Sequence, residues 1–194
     1  MKKTYDFTSG TIAEDLSYCY VPKRKYYETF HAANGGIEST PRADDETGGF
    51  AALLPDMSFE TGSRIHCECT FTGLGAPMLV FGHGTKEEDG HRIFERRLEI
   101  VAHKMGCNVW DVLPTLADGT NPPSKKIAYL EFPVEDETKI ALTAEIRKKD
   151  IRVTMNGHIF GFARDVLPET FVGGIMACEG LCRFYFMECE TEEA

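Results

Sequence analysis

Apolar and polar residues alternate with a period of two along much of the chain. From Arg97 to His103 the side chains of Leu98, Ile100 and Ala102 fall on one face, and those of Arg97, Glu99 and His103 on the other. The following segment continues the apolar face with Cys107, Val109 and Leu113 and leaves Asn108 and Trp110 beside the polar set. RLEIVAHKMGCNVWDVL therefore reads as two strands joined by a glycine-containing turn. Arg64 to Phe71 alternates as regularly, with Ile65, Cys67, Cys69 and Phe71 opposing His66, Glu68 and Thr70. Shorter runs predict strands over Lys3 to Phe7, Phe50 to Leu54 and Met78 to Phe81.

The final third predicts strands over Lys126 to Phe132, Lys139 to Arg147, Ile151 to Met155, His158 to Ala163, Phe171 to Cys178 and Leu181 to Glu190. Asn156-Gly157 supplies the positive-φ pair of a type I′ turn and should join IRVTM to HIFGF. Between these runs the reading is loop. Tyr18, Tyr20, Tyr26, Tyr27 and Phe30 lie in a segment broken by Pro22 and Lys23 to Lys25, which suggests irregular chain or short strands. GHGTKEEDGHR reads as a polar loop, and Pro114 to Ser124 as a surface loop beside the polar face of the hairpin. About ten or more strands without a helix of useful length indicate an all-β, two-sheet antiparallel sandwich.

Composition sets the class of partner. With 194 residues, 42% of them hydrophobic, the chain can bury one substantial core, and residues 1–190 are expected to form one domain followed by an acidic tail, 191–194. A formal charge of -10 excludes a nucleic-acid or anionic-membrane partner, since both reward a basic face. The amino terminus lacks an apolar run of signal-peptide length, and no segment is long enough to span a membrane. Seven cysteines, an odd number without framework spacing, point to reduced thiols in the cytoplasm.

IRVTMNGHIFGFARD, VGGIMACEG and LCRFYFMECE, taken in that order, resemble the closing strands of the concanavalin A-like lectin and glucanase superfamily, and KTYDF fits its first strand. The resemblance covers Lys139 to Glu190. GAPMLVFGHG with its polar loop is similar to part of small bacterial jelly-roll proteins associated with polysaccharide use. The resemblance implies a jelly roll whose concave sheet carries an oligosaccharide. The EXDXXE strand of the glucanase members and the HXNXR pattern of the galectins are both missing here.

The polar face of the hairpin suits that ligand. Trp110 offers a ring to stack on a sugar, while Arg97, Glu99, His103 and Asn108 offer hydrogen bonds to its hydroxyls. These five residues are the expected floor of the site, with His83, His91 and Arg92 along one rim. The opposing reading of Trp110 is simple packing.

No catalytic set announces itself. A glycosidase needs two carboxyl groups about 5 Å or about 6.5–9.5 Å apart. Glu95 and Glu99 on one strand lie about 13 Å apart, so Glu99 would need Asp111 or Glu131 from another strand. A polysaccharide lyase would instead use His103, Arg97 and His83. A third alternative is a protein-interaction or homo-oligomerisation module. No metal or cofactor is expected: Cys67 and Cys69 alternate on a core face, Cys178, Cys182 and Cys189 read as small buried hydrophobes, and Asp44, Asp45 and Glu46 lack calcium-loop spacing.

Overall fold

A computed structural model describes residues 1–22, 27–40, 51–114 and 123–192. In chain order its strands are β1 (Lys2–Asp6), β2 (Leu16–Tyr20), β3 (His31–Ala33), β4 (Gly36–Glu38), β5 (Ala51–Pro55), β6 (Arg64–Thr72), β7 (Met78–Gly82), β8 (Thr85–Glu88) and β9 (His91–Phe94). They continue with β10 (Arg97–His103), β11 (Gly106–Val112), β12 (Lys125–Glu131), β13 (Ile140–Ile146), β14 (Asp150–Met155), β15 (His158–Ala163), β16 (Val172–Met176) and β17 (Leu181–Glu190). The described helical structure is one 3-10 turn, Arg164–Val166. No described helix is long and apolar enough to cross a membrane.

Two sheets face each other across the core. The back sheet runs β15-β14-β13-β6-β17-β4-β3, with β1 also paired to β17, and the front sheet runs β12-β11-β10-β7-β16-β5-β2-β9-β8. All pairings are antiparallel except the contact of β2 with β9 at Tyr20 and Ile93. The two-sheet antiparallel sandwich read from the alternation is therefore the fold. Between the sheets, Phe71, Leu79, Phe81, Ile100, Leu142 and Phe184 are buried, and the same core takes in Tyr5 near one end of the chain and Cys189 near the other. Thr191 is still paired with Met1 through backbone hydrogen bonds.

The predicted Asn156-Gly157 turn is present, with φ of 47° and 84°. It pairs β14 with β15 from Met155–His158 to Asp150–Ala163. Two expectations are corrected. Residues 82–92 are not an open polar loop, because β8 and β9 form a hairpin closed by Asp89 and Gly90, both at positive φ. Leu113 does not continue the inward face of β11 but is 38% exposed. Asp111 takes the inward position opposite Leu98. The acidic loop Asp44 to Glu46 and most of Pro114 to Ser124 lie outside the described residues.

The middle strands of the front sheet are buried on both faces. A second apolar cluster, including Leu54, Met78, Val80, Phe94 and Met176, covers its outer face. This explains why β5 and β7 read as continuous apolar runs, AALLP and MLVFG, where a half-solvated strand would alternate.

Candidate functional site

A groove of about 440 Å³ opens on the outer face of the front sheet, beside this second apolar cluster. Its floor is the β10–β11 hairpin. Glu99 lies opposite Trp110 and Val101 opposite Asn108, so period-two geometry turns Arg97, Glu99, His103, Asn108 and Trp110 to the same side. All five line the groove, together with Met78, Val112, Ser124, Cys178 and Glu179.

The charged pair at the bottom is internally matched. Arg97 Nε donates to Glu99 Oε1 at 2.6 Å, and the two residues are only 6% and 7% exposed. Burying two ions is costly, and each is tolerated here because it neutralises the other. Arg97 is thus committed to Glu99 and is not a free cation waiting for an anionic ligand.

His103 and Asn108 are less completely satisfied. The Met105 backbone N–H donates to His103 Nδ1 at 3.2 Å, so in the neutral ring the proton sits on Nε2. That Nε2 and the Asn108 Oδ1 are both buried and face each other, and no third described residue bonds to either atom. Burial lowers the His103 pKa below its ordinary value and Lys126 acts in the same sense, against the pull of the nearby Asn108 amide. The ring is held neutral, with a donor beside an acceptor.

An aromatic platform borders these groups. Register places Asn108 opposite Tyr129, and a bulge between Val109 and Trp110 then brings Lys126 opposite Trp110. Lys126 Nζ lies 5.0 Å from the Trp110 ring centre and 5.4 Å from that of Tyr129. The Tyr129 ring is stacked on His103 at 6.4 Å, and its hydroxyl donates to the Met105 carbonyl. Trp110 also packs on the apolar cluster, so it is part core and part groove wall. At the far end of β11, Gly106 has φ of 134°, and a Cβ there would fall 2.0 Å from the Leu130 carbonyl oxygen. Glycine alone lets β12 approach closely enough to set the platform.

The three expected rim residues do not join this groove. His83 follows the end of β7 on the inward side, where burial and the neighbouring Arg96 lower its pKa. His91 stacks on Tyr27 at 3.6 Å. Arg92 donates to Thr85 and Ser17 beside a separate cavity bordered by Asp15 and Asp56. The cause is the β8–β9 hairpin, which carries residues 85–94 to the opposite edge of the front sheet.

The proposed partner carboxylates for Glu99 are also displaced. Asp111 shares a face with Leu98 and is held by two hydrogen bonds from Arg96, at 2.9 and 2.8 Å. Glu131, on the edge strand β12, is exposed and does not line the groove. The second carboxylate in the groove wall is Glu179, at positive φ in the turn before β17. Among the described residues no three His, Cys, Asp or Glu side chains converge as a metal site.

No protein-family profile and no curated sequence matches the chain. Solved structures do resemble it. The carbohydrate-binding module CBM66 from Bacillus subtilis aligns with a TM-score of 0.59 at 15% identity, over 88% of this chain and 91% of its own. A structure from the endo-acting O-glycanases of the human gut microbiota that initiate mucin breakdown aligns with a TM-score of 0.64 at 11% identity, over 98% and 99%. LamA from Z. galactanivorans, in complex with laminaritriose and laminaritetraose, aligns with a TM-score of 0.55 at 10% identity, over 91% and 92%. The fold is a jelly-roll β-sandwich, shared with these structures.

Within this jelly roll, Glu179 in the groove wall and Tyr129 and Lys126 packed behind it are the residues that sequence reasoning missed. Tyr129 and Lys126 sit on a strand that was recognised, but their alignment with Trp110 depends on the β12 bulge, which no alternation pattern reveals. Asp89-Gly90 was the signal available for the missed hairpin, since both residues favour the positive φ they adopt. Its flanks, TKEE and HRIF, lack apolar alternation.

Proposed function

We propose that this jelly roll is a carbohydrate-binding protein that holds an oligosaccharide in the groove on the outer face of its front sheet. The carrying observation is the groove floor itself, where Arg97, Glu99, His103 and Asn108 set hydrogen-bonding side chains beside the Trp110 ring. A sugar hydroxyl donates and accepts at once, so a floor that mixes polar side chains with an indole ring suits it. Trp110 provides the aromatic wall that the apolar face of a pyranose prefers, and Tyr129 backs the neighbouring His103 ring.

The charge pattern favours a neutral sugar over a uronate. Arg97 is already paired with Glu99, so the guanidinium that a lyase would direct at a carboxylate is neutralised. His83, another part of that lyase reading, lies outside the groove. For hydrolysis, the deep carboxylate of Glu99 is engaged and Asp111 faces the other way. Binding is accordingly favoured over cleavage. The similar folds of a carbohydrate-binding module and of glycanases support the ligand class.

Residence in the cytoplasm belongs to the same proposal. Its support is seven cysteines, all buried and unbridged. The deciding experiment is calorimetric titration with neutral oligosaccharides of the protein and of Asn108→Ala. Saturable binding weakened about tenfold or more by the substitution supports the reading. Absence of binding across glucan, xylan, galactan and chitin fragments removes it.

A further inference from the structure

The outer face of the back sheet carries a second recess, of about 460 Å³, on the side of the molecule away from the groove. Its construction begins with a bulge in β17. Phe184 pairs with Cys69 and Phe186 with Glu68, leaving Tyr185 as the extra residue. Two consecutive aromatic side chains, Tyr185 and Phe186, consequently line the recess, where strict alternation would have sent one of them inward. Asp6, Phe186, Glu68 and Ala141 then form a continuous row across β1, β17, β6 and β13.

The polar groups around the two rings are fixed from within. The Tyr185 hydroxyl shares a hydrogen bond with Thr70 Oγ1 and accepts one from Arg183 Nη1, both at 3.2 Å. Glu68 is paired with Lys139, whose Nζ lies 5.8 Å from the Tyr185 ring centre. Glu137 accepts from Thr72 and Arg183, and Asp6 accepts from the backbone and hydroxyl of Thr8.

We propose that this recess is a second saccharide-contacting site, separate from the groove. An anionic ligand would meet Asp6, Glu68 and Glu137. Cations are already supplied from within, Lys139 on Glu68 and over Tyr185, and Arg183 on Glu137. An uncharged ligand remains, with an apolar face for Phe186 and hydroxyls for the remaining carboxylate lone pairs, which is the chemistry of a neutral sugar. The front groove is built from the same parts. There an aromatic ring, Trp110, stands among charged and hydrogen-bonding side chains, as Tyr185 and Phe186 do here. In ligand class the inference rests on the reading of the groove; in position it stands alone. A protein with both sites bridges two stretches of polysaccharide.

The test is amide-resolved NMR of the full chain titrated with laminaritetraose, cellotetraose, xylotetraose, galactotetraose and N-acetylchitotetraose. At least one sugar should shift the amides of Thr70, Tyr185 and Phe186 saturably, and those shifts should persist in Trp110→Ala. Phe186→Ser should weaken them about tenfold or more while groove shifts at Asn108 remain. Asp6→Ala, at an exposed position, gives the same loss if Phe186→Ser fails to fold. A recess silent to every sugar while the groove responds overturns this inference alone. A responding recess with a silent groove supports it and removes the groove reading alone. Silence at both removes both, and recess shifts that vanish in Trp110→Ala overturn the claim of a separate site.

Discussion

Arg97 and Glu99 stand two residues apart on one strand and form an ion pair of 2.6 Å with almost no exposed surface. Together they make the polar bottom of the groove, each neutralising the other. Breaking the pair from one side leaves a lone buried charge. Glu99→Ala should destabilise the protein by about 3–5 kcal/mol, while Arg97→Met with Glu99→Leu should return to near the parent stability or exceed it. Urea unfolding of the single and double variants measures both, and an additive double variant would deny the coupling.

Gly106 is a second position where one atom decides the geometry. A Cβ would meet the Leu130 carbonyl oxygen at 2.0 Å, with φ at 134°. Gly106→Ala should force β12 away from β11, lower stability by roughly 2 kcal/mol or more, and loosen the Trp110–Lys126–Tyr129 platform. Thermal unfolding with Trp110 emission as the probe checks both effects.

Much of the fold was legible because antiparallel strands announce themselves by alternation and by a turn such as Asn156-Gly157. The groove floor was legible for the same reason: Arg97, Glu99, His103, Asn108 and Trp110 occupy one hairpin, and a single period of two places them together. Residues outside that hairpin were not so accessible. Lys126 and Tyr129 depend on a bulged register between β11 and β12, and Glu179 on a turn from the opposite end of the chain. His91 and Arg92 were misplaced because a hairpin with polar flanks reads as a loop, and its partner β2 lies some seventy residues earlier in the chain.

His66, His83 and His103 all have pKa values lowered below the ordinary 6.5, chiefly by burial. The unfolded chain therefore takes up protons at a higher pH than the folded one. Their contribution to stability should be complete above about pH 6.5 and lost as the pH falls from there toward the depressed folded values. Unfolding free energy at pH 7.5, 6.5 and 5.5 should decrease in that order, and the His103 ring signals should titrate with a midpoint below 6.5. A His103 midpoint above 6.5 would contradict its burial in a neutral state.

The seven thiols are buried, and burial pushes Cys19, Cys107, Cys182 and Cys189 up to about 12. For these four, neither access nor thiolate is available for reaction. A disulfide reagent at pH 8 should modify none of them rapidly in the folded protein and all seven in denaturant. Rapid native labelling would show that the core opens readily.

Trp110 is the only tryptophan and borders the paired donor and acceptor of His103 and Asn108, so its fluorescence reports from the groove alone. Titration of that emission with neutral oligosaccharides is the most direct measurement of the central claim. The account predicts a saturable change for at least one sugar, with the midpoint moved about tenfold or more by Asn108→Ala and by His103→Ala. Emission that stays constant through the whole series, or a midpoint that neither substitution moves, would contradict it.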